Sequence, residues 1–68
     1  MRIIEGKLYR LLDKEPIVSE FRNKIVKIVK IREDIMDYNL TIEFVGNKER
    51  LNCKEEYLKP IKNNIIKI

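Results

Sequence analysis

Sixty-eight residues, with 15 Lys and Arg against 11 Asp and Glu, make a short basic chain of net charge +4. That length holds one domain spanning residues 1–68, because two would each lack the chain to close a core. With no histidine, one cysteine and one serine, the composition excludes Ser/His/Asp and Cys/His catalysis, an internal disulfide and a Cys/His zinc site.

In chain order, Lys7 to Leu12 is the first candidate element. Leu8, Leu11 and Leu12 stand at helical spacing and Tyr9 and Leu11 at strand spacing, so the period leaves both open. Pro16 ends it in either case and starts a long loop from Leu12 to Phe21. Lys24 to Arg32 follows, whose apolar positions also fit a helical stripe through Phe21, Ile25, Ile28 and Val29. Ile25, Val26, Ile28, Val29 and Ile31 are all β-branched, lose χ1 freedom in a helix and pack well on a pleated surface; they favour a long strand. Its imperfect alternation predicts a bulge or a strong bend.

Between Tyr38 and Val45, Leu40, Ile42 and Phe44 alternate with Asn39, Thr41 and Glu43, the pattern of a half-buried strand. Gly46-Asn47 supplies residues that tolerate positive φ, and Glu49 to Cys53 alternates again with Leu51 and Cys53 on one face, which predicts a β-hairpin. Tyr57 to Ile61 reads as a tight turn into a short edge strand, since Pro60 has no N–H for a central ladder. Asn63-Asn64 and Ile65 to Ile68 add a possible last strand whose Ile65, Ile66 and Ile68 form an apolar tip; a monomer or a weak homodimer is expected.

This order, with Phe21-Arg-Asn-Lys24 leading into the long strand, the Asp37 to Cys53 hairpin and the closing Tyr57-Leu-Lys-Pro-Ile61, resembles an SH3-like small β-barrel over about Gly6 to Ile61. The resemblance implies a mainly β fold of five strands with at most a short helical turn. It leaves function open, because barrels of this kind bind peptides, nucleic acids or larger assemblies. Two departures stand out. The chain has no Trp and only five aromatics, unlike the aromatic grooves that hold proline-rich peptides, and Asn23 stands where nucleic-acid-binding relatives carry a glycine.

No catalytic residue, metal ligand or cofactor is expected. Cys53 falls on the core face of its strand, where a thiol is inert, and Glu33, Asp34 and Asp37 lack the Gly and the distant Glu of a calcium loop. Charged residues interrupt every apolar run well short of the roughly 20 needed to cross a bilayer, and no leader-like pattern starts at Met1. A cytoplasmic protein that neither spans nor binds membrane is expected. Two surfaces compete for a partner. Ile17 and Val18 in the long loop are candidates for protein contact. Arg22, Lys24, Lys27, Lys30 and Arg32, with no acid among them, are candidates for a nucleic-acid or other polyanion surface. Lysines on an exposed strand also serve solubility alone by blocking edge pairing. The leading expectation is a non-enzymatic module binding a protein partner, with nucleic-acid binding the alternative.

Overall fold

A computed structural model describes residues 2–61, and the expected apolar tip at Ile65, Ile66 and Ile68 lies outside them. Among the described residues the fold is mainly β, with strands β1 (Leu8–Leu11), β2 (Ile25–Ile31), β3 (Leu40–Phe44), β4 (Arg50–Cys53) and β5 (Leu58–Pro60). The helical pieces among these residues are two 3-10 turns, Ser19–Phe21 and Glu55–Tyr57. All pairings are antiparallel and the order is β4-β3-β2-β1-β5. Both open readings resolve to strands: the helical stripe through Phe21 and Val29 is not used, because β2 is flanked by two partners that satisfy its backbone.

The sheet is not closed. Its end strands, β4 and β5, do not pair, so the barrel implied by the resemblance is an open five-stranded sheet here. One face carries the core. Tyr9 and Leu11 of β1, Val26 and Ile28 of β2, Leu40, Ile42 and Phe44 of β3, Cys53 of β4 and Leu58 of β5 are all buried, at every second position as the pleat requires. Tyr9 fits there because its hydroxyl is satisfied: it donates to the Arg2 carbonyl oxygen and accepts from the Ile4 N–H, both at 3.1 Å.

A bulge at Val29 sets the geometry of β2. Ile28 stands opposite Ile42 and Lys30 opposite Thr41, so Val29 has no partner on β3. The extra residue shifts the alternation by one, and Ile31 returns to the core side opposite Leu40. The segment before β1 braces this point, with the Gly6 N–H donating to the Ile28 carbonyl (2.7 Å) and the Glu5 carboxylate accepting from the Ile31 N–H (2.9 Å).

Among the described residues, three other than glycine have positive φ. Asn23 (63°) turns the chain into β2 in a left-handed conformation that Asn tolerates. In the β3–β4 hairpin the left-handed residue is Lys48 (65°), not Gly46 or Asn47 as their type suggests. The loop has four residues: Phe44 N–H donates to the Glu49 carbonyl and Lys48 N–H to that of Phe44, each at 2.8 Å, so the turn's last position takes the positive φ. The third is Tyr38 (54°).

Candidate interaction surfaces

On the sheet face away from the core, register decides which cations meet. Before the bulge, Lys27 stands opposite Glu43, an outward position; after it, Lys30 stands opposite Thr41, also outward. An unbroken strand would send these two lysines to opposite faces, and the bulge reunites them. Arg32, two residues on, shares the face, with a guanidinium nitrogen 3.4 Å from Asn52 Oδ1 of β4. Its Nε is enclosed and has no hydrogen-bond partner.

The other two cations of the basic run go elsewhere. The Arg22 Nε donates to the Ile17 carbonyl oxygen (2.7 Å) and pins the long loop, and Lys24 precedes β2 on the side of Leu11, to whose N–H its carbonyl is bonded. In their place the sheet supplies three cations from other strands. Arg10 of β1 pairs in register with Lys59 of β5, and Arg50 of β4 stands opposite Glu43 and is bonded to it (2.9 Å). These three are isolated in sequence. Only their outward parity, readable once the strand register is known, links them to Lys27, Lys30 and Arg32.

The core side is incomplete where the sheet stays open. Leu51 of β4 sits opposite the buried Ile42, on the core face, yet is 42% exposed. The long loop folds back towards it. Ile17, expected on the surface, is only 7% exposed and joins the core, because its N–H bonded to the Lys14 carbonyl turns the loop inward. Val18 beside it is 53% exposed, as a contact residue would be. Between loop and strand lies a groove of about 170 Å³ walled by Pro16, Val18, Phe21, Leu51 and Tyr57, with Cys53 at its floor.

Tyr57 leads from this groove to an exposed aromatic pair. Tyr38 meets it edge to face, centroids 6.2 Å apart and hydroxyls 3.4 Å apart, and the Lys54 ammonium lies 5.0 Å from the Tyr38 ring and 5.8 Å from that of Tyr57. The hydrogen bond with Tyr38, then burial and neighbouring charge, pushes the Tyr57 hydroxyl up to about 12, so it stays neutral at physiological pH. A left-handed Tyr38 costs about 1–2 kcal/mol, and these contacts hold it in place.

The two edges of the sheet differ. At β5, three residues long, Pro60 removes a donor and Lys59 adds charge. At β4 the ladder anchored by Phe44 and Glu49 makes Leu51 and Cys53 the residues that exchange hydrogen bonds with β3. The peptide groups of Arg50 and Asn52 therefore point away from the sheet, unpaired with any strand.

Cys53 is buried and its thiol donates to the Lys54 carbonyl oxygen (3.3 Å). Among the described residues no three His, Cys, Asp or Glu side chains gather to hold a metal, and no helix is long and apolar enough to cross a membrane. Compared with known families, curated proteins and solved structures, the chain matches none.

Proposed function

We propose that this chain is a non-enzymatic interaction module that binds a protein partner by adding an extended segment of that partner to β4. The observation that carries this is the conjunction, on one strand, of outward peptide groups at Arg50 and Asn52 with an apolar groove beside Leu51. Main-chain bonds along such an edge supply affinity, and a side-chain pocket next to it supplies selectivity. The partner's anchor is apolar, to fill the space between Val18, Leu51 and Tyr57. The strand order, the long β1–β2 loop and the 3-10 turn before β5 support reading the architecture as an SH3-like barrel left open at this side.

Two variants test it by separate routes. Leu51→Lys places a charge in the groove, and Asn52→Pro removes an outward N–H without touching the β3 ladder. In affinity capture from the source cell, a partner retained by the wild-type protein is lost with both variants while circular dichroism is unchanged. Equal recovery with wild type and both variants, or no stoichiometric partner at all, overturns the reading.

A further inference from the structure

The outward face of the sheet is a second surface, independent of the groove, and we infer that it binds the phosphate backbone of duplex nucleic acid without reading sequence. Five cations on four strands, Arg10, Lys27, Lys30, Arg50 and Lys59, take outward positions, and Arg32, one residue past β2, joins them through its contact with Asn52. One acid among the paired outward positions, Glu43, answers them, and it is engaged by Arg50. The Glu5 carboxylate at the rim is engaged by the Ile31 N–H. The bulge is what assembles the centre of this face, since with Val29 paired in register Lys30 and Arg32 would turn to the core side.

The dimensions suit an extended polyanion. Lys27 to Arg32 covers about 16 Å along β2 at ~3.3 Å per residue, and the five strands spread over about 19 Å at ~4.8 Å between neighbours. A nucleic-acid strand presents a phosphate about every 3.4 Å of duplex axis, so several meet this face at once.

Duplex is favoured over single strand by what the face lacks. Single-strand binders stack bases on aromatic side chains. None of the paired outward positions on the five strands is aromatic; Tyr9 is buried, and Tyr38 and Tyr57 belong to the groove side. A membrane surface is disfavoured because the paired outward positions carry one exposed large hydrophobic, Leu8, and no aromatic, too little to enter lipid.

Fluorescence anisotropy with a labelled 20-base-pair duplex at 50 and 200 mM salt tests this directly. With about four phosphates neutralised, the slope of log affinity against log salt is about −3.6, a roughly 100-fold loss between the two conditions. Lys27→Gln with Lys30→Gln flattens the slope by about two units and weakens binding at least tenfold at 50 mM. Lys14→Gln with Lys24→Gln, the same loss of charge away from this face, changes affinity less than threefold. Absence of binding at 50 mM, or equal losses from the two pairs, overturns the inference. So does tighter binding of a matched single strand, or of vesicles rich in anionic lipid, through Lys27 and Lys30. Circular dichroism of each pair confirms the fold, and the groove variant Leu51→Lys leaves duplex binding intact, which separates failure here from failure of the proposed protein contact.

Discussion

At the scale of single residues, burial and backbone conformation do most of the deciding. Enclosure pushes the Cys53 thiol up to about 11 from an ordinary value of 9.0, with the bond to the Lys54 carbonyl pulling weakly the other way. The folded value lies above the unfolded one, so below pH 9 both states keep the proton and this contribution to stability is fully present. Between pH 9 and 11 the unfolded chain ionises first, and stability falls as pH rises through that window. Urea midpoints at pH 8 and pH 10.5 should therefore drop further for the wild-type protein than for Cys53→Val; equal drops would mean that the folded thiol ionises as freely as the unfolded one. Cys53 was legible from its alternation with Leu51. Positive φ at Lys48 was not, because residue type points to Gly46-Asn47 and only the length of the closed loop selects the fourth position. Ile17 and Val18 are adjacent in a loop whose sequence does not say which one it folds inward.

At the scale of elements, β3, β4 and the edge strand β5 follow from period two and from Pro60, and the bulge in β2 was signalled by its broken alternation. Its position was not signalled, and that position controls the outward face: one unmatched residue decides whether Lys27 and Lys30 are neighbours or opposites. Grouping the cations by their closeness in sequence therefore included Arg22 and Lys24 and missed Arg10, Arg50 and Lys59. Deleting Val29 should remove the bulge yet keep Ile28 opposite Ile42 and Lys30 opposite Thr41, so that the protein still folds with both lysines outward, as read by a well-dispersed amide spectrum. Loss of the dispersed amide resonances on deletion would show that Val29 is not the extra residue of β2.

For the whole molecule, a chain of this size has little stability to spare, about 3–10 kcal/mol at 0.05–0.15 kcal/mol per residue. Ile28 is fully buried beside the bulge, and Ile28→Ala should cost about 2–5 kcal/mol, lowering the thermal midpoint by at least about 10 °C. Leu8→Ala, on the outward face, should shift it by no more than a few degrees. Similar shifts for the two would mean that the core does not lie on the face assigned to it. The unequal edges carry a consequence for self-association. Growth of a fibre by strand pairing needs two competent ends on every subunit, one to receive and one to offer. Here β4 can do either, whereas β5, with Pro60 in it, does neither. Two copies that met β4 to β4 would leave only blunted ends outside, so the open sheet terminates its own polymer at two.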